Sequence, residues 1–273
     1  LFILMKKIVL ISGASTGFGR SISKLLSSNG LRVYGTSRNP DNYSDFEGIE
    51  LLKYDLTSFK DSKKLIDKVL TIEGKIDILI NNAGSGFAGP IEEMVIKDAK
   101  KLFDTNFFGH IDLIQAVLPS MRKNKGGLII NVTSIAGYNN IPFGSIYCAS
   151  KYSMECLGAS LNMELKDFGI RVVNIAPGDY KTKIFDKRIK LELNTNSVYY
   201  QKYKKFTEVS KYNMDTRSRD PIEVAKLVLK IINSRNPGIH YKIGHFLQKF
   251  SISLKKILPE KLYQKLMMDH YKI

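Results

Sequence analysis

A chain of 273 residues with 44% hydrophobic and 25% charged residues can bury a substantial core, and its make-up excludes fibrous or disordered classes. Two cysteines exclude a disulfide framework, and four histidines without ligand spacing give no metal site. The net charge of +16 comes from lysines scattered along the chain, so it reads as a field attracting small anions rather than a nucleic-acid-binding stripe.

The opening Leu1-Phe-Ile-Leu-Met5-Lys-Lys is too short for a signal peptide, and its apolar patch precedes the charges. Met5 reads as a natural start, with Leu1 to Leu4 as an addition preceding it. No run approaches the ~20 apolar residues of a membrane span, so a cytoplasmic location is expected.

The first strand is expected over residues 7–12 and leads into Ser12-Gly13-Ala14-Ser15-Thr16-Gly17-Phe18-Gly19-Arg20 and a helix through Leu26. Glycines at a strand-to-helix turn let backbone amides approach a diphosphate, and the helix amino terminus favours the anion. The spacing Gly-x-x-x-Gly-x-Gly departs from the commoner Gly-x-Gly-x-x-Gly. A rival reading takes Gly13-Ala-Ser15-Thr-Gly17 as the nucleophile elbow of a serine hydrolase, served by His240, His245 or His270. That elbow would lie on the first strand, with almost no chain before it to build a sheet or an oxyanion loop.

Further strands are expected over 31–36, 49–54, 76–81, 127–133, 170–175 and 239–243, and helices over 60–73, 97–122, 150–167 and 221–234. Asp220-Pro221 supplies an N-cap followed by a first-turn proline. The alternation predicts an α/β fold, a Rossmann-like doubly wound parallel sheet of about seven strands with helices on both faces. One domain over residues 1–243 and an amphipathic extension over 244–273 are expected.

The chemistry concentrates in Tyr147-Cys-Ala-Ser-Lys151, with Ser134 upstream at the end of a buried strand. Tyr147 and Lys151 fall at i and i+4 on a helix running to about Asp167, so phenol and ammonium share a face. A neighbouring cation favours the phenolate and is expected to bring the phenol's pKa toward the working range. Ser134 stands at a strand's carboxyl end, where open α/β sheets form their ligand crevice. A hydroxyl, a phenol and a lysine so arranged suit carbonyl–alcohol chemistry.

Taken together, these motifs resemble the short-chain dehydrogenase/reductase family over about residues 6–243, and the tail beyond them resembles those of members grouped with hydroxysteroid and retinol dehydrogenases. The resemblance implies a phosphate loop at Gly13, Ser15, Thr16, Gly17, Phe18 and Gly19, with Ser12 where threonine is usual. It implies an adenine contact at Asp55-Leu56 and cofactor contacts at Asn82-Ala83-Gly84, within Asn81-Asn-Ala-Gly84. Asn106 corresponds to the asparagine that holds a proton-relay water, and with Ser134, Tyr147 and Lys151 it completes a catalytic tetrad. Tyr147 and Lys151 also meet the cofactor, and Pro177, Gly178, Tyr180 and Thr182 resemble the segment around the nicotinamide carboxamide. Residues 179–220 correspond to the substrate loop, and a homodimer or homotetramer is implied.

The second strand ends in Ser37-Arg38 with no carboxylate before Asp41. A hydroxyl and a guanidinium suit a ribose 2′-phosphate, whereas an acid would serve the free 2′-hydroxyl, so NADP(H) is expected over NAD(H). The substrate region carries Tyr199, Tyr203 and Phe206 at helical spacing, which reads as a solvated helix with an aromatic inner face. Beyond the last strand, Phe246, Leu247, Phe250, Leu254, Ile257 and Leu258 share a helical face. Pro259 breaks that helix, and Leu262, Tyr263, Leu266 and Met267 repeat the pattern. Such a tail covers the cleft, packs between subunits or touches a membrane surface, and packing is the expectation. The reading is an NADP(H)-dependent oxidoreductase on a hydrophobic carbonyl or alcohol of steroid, retinoid or fatty-acyl type. The alternative is a protein that binds NADP(H) as a sensor or scaffold.

Overall fold

Short runs of Ile, Val and Leu, cut by glycine turns, form strands too apolar to leave either face in water. In a computed structural model, residues 6–182 and 188–273 are described; the expected start at Met5, after Leu1 to Leu4, lies outside them. The chain runs β1 (Ile8–Ile11), α1 (Gly17–Ser28), β2 (Arg32–Ser37), β3 (Ile49–Lys53), α2 (Ser62–Glu73), β4 (Ile78–Asn81), β5 (Phe87–Ala88), α3 (Ile96–Phe103) and α4 (Gly109–Lys123). It continues with β6 (Gly127–Val132), α5 (Ser145–Glu164), β7 (Ile170–Pro177), β8 (Ile189–Lys190), α6 (Tyr200–Arg217), α7 (Ile222–Asn233), β9 (His240–Ile243), α8 (Phe246–Ile257) and α9 (Glu260–Tyr271).

Seven strands form one parallel sheet in the order β3-β2-β1-β4-β6-β7-β9. Strand order reverses between β1 and β4, and the crevice beyond their carboxyl ends is the expected ligand site of such a sheet. Alternation along each strand sends side chains to two cores. Val9 and Ile11 pack with Ile22 and Leu26 of α1 and Val224 and Val228 of α7. Ile8 and Leu10 pack on the other face with Leu65 of α2 and Leu113 and Val117 of α4.

The fold class and the seven strands agree with the sequence. The expected helix over 97–122 is instead α3 and α4 joined by a π-helical stretch, Asp104–Phe108, which carries Asn106. Helix α5 starts at Ser145, earlier than the 150–167 run, and carries both Tyr147 and Lys151, as their i, i+4 spacing requires. The two-stranded sheet of β5 and β8 has no counterpart in the periodicity, because two residues per strand are too few to show one.

Polar side chains cross the sheet in a single buried line. Asn81 Nδ2 donates to Asn131 Oδ1 at 2.9 Å, and Asn131 Nδ2 donates to Asn174 Oδ1 at 2.9 Å. Asn174 Nδ2 then donates to the Glu155 backbone carbonyl at 2.9 Å and to Glu155 Oε2 at 3.1 Å, tying the line to α5. Gly158 makes room for it, since a Cβ there would lie 2.1 Å from Asn174 Oδ1 and 2.6 Å from Nδ2. Glycine to alanine inside a helix ordinarily gains up to about 1 kcal/mol. Here overpacking, at about 1–3 kcal/mol, outweighs that gain. Gly158→Ala should therefore lower the thermal midpoint by several degrees, measured by calorimetry.

Candidate active site

The glycine turn follows β1 and opens α1. Gly13 and Gly17 sit at φ of +67° and +56°, where a side chain would be strained. A Cβ on Gly13 would also lie 2.9 Å from Ala83 Cα, and one on Gly19 would lie 2.2 Å from the Gly13 carbonyl oxygen. Asn82 braces the turn, its Nδ2 donating to the carbonyls of Ser12 at 2.9 Å and Gly13 at 3.0 Å. The Ser12 hydroxyl accepts from the amides of Asn82 at 2.9 Å and Ala83 at 3.0 Å. Thr16 at the N-cap is extended, no side chain caps α1, and its first turn holds no acid. A bare, glycine-lined helix amino terminus at the sheet's switch point fits a dinucleotide diphosphate.

Ser134, Tyr147, Lys151 and Asn106 converge at the carboxyl ends of β4 and β6. Ser134 follows β6, and its hydroxyl accepts from the Ala136 amide at 3.1 Å. Burial pushes the Tyr147 phenol up to about 12, against the opposing effect of a hydrogen bond with Ser134. Lys151 is 3% exposed, and its Nζ donates to the Val132 carbonyl at 3.4 Å. Burial pulls Lys151 down to about 8, while the charge of Glu155 raises it. The phenol pKa thus moves opposite to the expected direction. The Lys151 ammonium stands 6.0 Å from the Tyr147 ring centroid, and burial dominates the phenol.

Asn106 works as a clamp. Its Oδ1 accepts from the Ser85 amide at 2.8 Å, and its Nδ2 donates to the Ser85 carbonyl at 2.9 Å and to Ser150 Oγ at 3.0 Å. A Cβ on Gly84 would lie 3.4 Å from Lys151 Nζ and 3.5 Å from Asn106 Oδ1. The Asn82-Ala83-Gly84 segment thus joins the glycine turn to the tetrad.

The remaining expected contacts divide. Ser37 is buried at the end of β2, while Arg38 projects into solvent beside it with no partner among the described residues. Asp55 spends its carboxylate locally, Oδ1 accepting from the Thr57 amide at 3.0 Å and hydroxyl at 2.9 Å, while Leu56 is buried in the core. Pro177 ends β7, and the Gly178 amide donates to the Ile243 carbonyl at 2.8 Å. A Cβ on Gly17 would lie 3.3 Å from Thr182 Cβ, which brings that threonine to the glycine turn. Tyr180 turns its side chain into the core. Its ring packs edge-on against Phe18 at 5.3 Å and its hydroxyl donates to Glu223 at 3.2 Å, so it supports the loop from within the core.

The hydrolase elbow finds no histidine partner among the described residues. His240 Nδ1 lies 2.9 Å from Glu155 Oε2, His245 Nε2 meets the Arg217 carbonyl, and His270 faces Asn213 at 3.4 Å.

Several supporting residues escaped the sequence reading. Glu155, one turn beyond Lys151, is buried among Thr133, Tyr138, Asn174 and His240. Its i+4 spacing from Lys151 was the available signal. Gln248 of α8 bonds Asp179 through its Nε2 at 2.7 Å, a contact no local pattern announces. On the open side, Tyr203 and Phe206 of α6 are buried with Ala88, as an aromatic inner face requires. Phe143 and Tyr271 pack against Phe206 at 5.5 and 5.0 Å.

Comparison with known proteins gives a consistent picture. The family profile described as short chain dehydrogenase matches residues 7–192. A 3-ketodihydrosphingosine reductase of Bacteroides thetaiotaomicron is 32% identical over 271 residues, covering 99% of this chain and all of the relative. The crystal structure of a short-chain dehydrogenase from Streptomyces avermitilis superposes with a TM-score of 0.78 at 27% identity, covering 95% of this chain and 98% of its own. ElxO with NADP bound gives a TM-score of 0.71 at 27% identity, covering 88% and 97%.

Proposed function

Because the chain belongs to the short-chain dehydrogenase family, a group of nicotinamide-dependent oxidoreductases, we propose that it uses NADP(H) to interconvert a hydrophobic carbonyl compound and its alcohol. The observation that carries this reading is the convergence of Ser134, Tyr147 and Lys151 beside the glycine turn, with the phenol held as an acid. The nicotinamide, when bound, supplies or takes up the hydride. Ser134 and Tyr147 hydrogen-bond the substrate oxygen. In reduction, Tyr147 donates its phenolic proton to that oxygen. Lys151 holds a positive charge behind the phenol, which favours the phenolate left after transfer. Asn106 fixes Ser85 and Ser150 and so keeps the loop after β4 and the catalytic helix in register.

Preference for NADP(H) rests on Ser37 and the solvent-facing Arg38, which together offer a hydroxyl and a fork of donors to a 2′-phosphate. Preference for an apolar substrate rests on Tyr203 and Phe206 of the expected substrate region, which cluster with Phe143 and Tyr271. The reductase from Bacteroides thetaiotaomicron, named for a long-chain ketone, agrees in substrate character.

Tyr147→Phe should lower carbonyl reduction by about 10²–10⁴-fold, followed as NADPH absorbance with long-chain ketones, and leave NADPH binding intact. Near-normal turnover in that variant would overturn the proposal. Arg38→Ala should weaken NADPH about tenfold while hardly changing NADH, read in fluorescence titrations. The pH profile follows from Lys151, whose pKa lies below its ordinary value. Its cation is complete below about 8 and is lost above it, while Tyr147 stays protonated up to about 12. The kcat/KM for reduction should therefore be flat at neutral pH and fall about tenfold per unit above that inflection. A profile still flat at pH about 10 would remove Lys151 from its assigned role.

A further inference from the structure

Helix α8 is inverted relative to an ordinary surface helix. Its polar side faces the protein: Gln248 bonds Asp179 at 2.7 Å and Ser251 Oγ accepts from Asn139 at 2.7 Å. Lys255 donates to the Tyr138 carbonyl at 2.9 Å and to Asn140 at 3.0 Å, and Ile252, 2% exposed, is the apolar residue buried on that side. Of the face read from sequence as the packing face, Leu254 and Leu258 are half-buried, whereas Phe246, Leu247, Phe250 and Ile257 point outward. Phe246, Leu247 and Ile257 are 71, 68 and 78% exposed, and Phe246 stacks on Phe250 at 5.7 Å along it. Lys249 and Lys256 flank this strip, and α9 adds exposed Leu262 and Leu266 with Lys261 and Lys265 between and beside them. Helical geometry places Phe246, Phe250 and Ile257 within about 40° of one another and the two flanking lysines to one side.

We propose that the outward face of α8, continued by α9, is a docking surface for an anionic lipid bilayer. Apolar side chains rimmed by lysines are what an interfacial helix presents to headgroups and the acyl boundary. No helix among the described residues is long and apolar enough to cross a membrane, so the contact lies in the interface. Charge separates this occupant from a second copy of the chain. The tail over 244–273 holds six lysines against Glu260 and Asp269, within a protein of net charge +16. A two-fold contact through this face would bring together two surfaces of the same positive sign, whereas a negative surface attracts the lysines.

The test is co-sedimentation of the full chain with vesicles of phosphatidylcholine containing phosphatidylglycerol, and with phosphatidylcholine alone. Binding is expected to the anionic vesicles, to weaken in high salt, and to fall about tenfold or more in Phe246→Ser/Ile257→Ser. Lys249→Gln/Lys256→Gln should lose about fivefold per charge. Circular dichroism and NADPH binding should be unchanged in both variants, whose altered side chains lie outside the catalytic and cofactor sites. No binding to anionic vesicles, or binding that survives both pairs of substitutions, overturns the proposal. So does a wild-type dimer, seen by ultracentrifugation, that the serine pair converts to monomer without any lipid binding; the face would then be an interface between copies.

Discussion

The site depends on a costly group, the ammonium of Lys151, a cation with 3% of its surface in contact with solvent. An unpaired buried charge is expensive, and the site is arranged around meeting that expense. The Val132 carbonyl accepts from Nζ, Glu155 lies one turn away on the same helix, and the absence of a Cβ on Gly84 leaves space over it. Burial raises the Tyr147 phenol and lowers the Lys151 ammonium together, since the dry environment penalises both charged forms. The pair therefore rests with a neutral phenol and a cation that is readily lost. That is a poised acid and a tunable charge, produced by one physical cause.

Much of this was legible in the chain. Buried parallel strands read as continuous apolar runs, and β1, β4 and β6 announced themselves because both of their faces are covered. The glycine turn was legible because positive φ and close backbone approach leave few alternatives to glycine at Gly13 and Gly17. Tyr147 and Lys151 were legible because helix period alone places them side by side. The direction of the phenol's pKa was not, since it depends on how deeply the pair is buried, and spacing says nothing of depth. The inward setting of the Tyr180 ring was not legible for a related reason: proximity in sequence to Pro177 and Thr182 does not fix which way a ring turns.

The tail shows a different limit. Periodicity correctly grouped Phe246, Phe250 and Ile257 on one side of a helix. It does not say which side meets the protein, because an amphipathic pattern defines a face and not its partner. Here the choice is made by Gln248, Ser251 and Lys255, whose polar contacts with Asp179, Asn139 and the Tyr138 carbonyl hold the helix by its hydrophilic flank. At its other end the same tail joins the aromatic cluster through Tyr271, so α8, α9 and the aromatic cluster of α6 are packed into one another.

The line of asparagines has a bearing on how the site keeps its level. Asn81, Asn131 and Asn174 pair in register across β4, β6 and β7. A slip of one residue in any of these strands would turn its amide to the opposite face, and a slip of two would carry it about 7 Å along the strand, out of reach of its neighbours. The row thus serves as a datum line for the three strand ends. Asn82 leaves β4 immediately beyond it, and Ser134 and Pro177 each follow three residues past their own asparagine. The brace of the glycine turn, the Ser134 hydroxyl and the carboxyl end of β7 are all levelled from one buried reference.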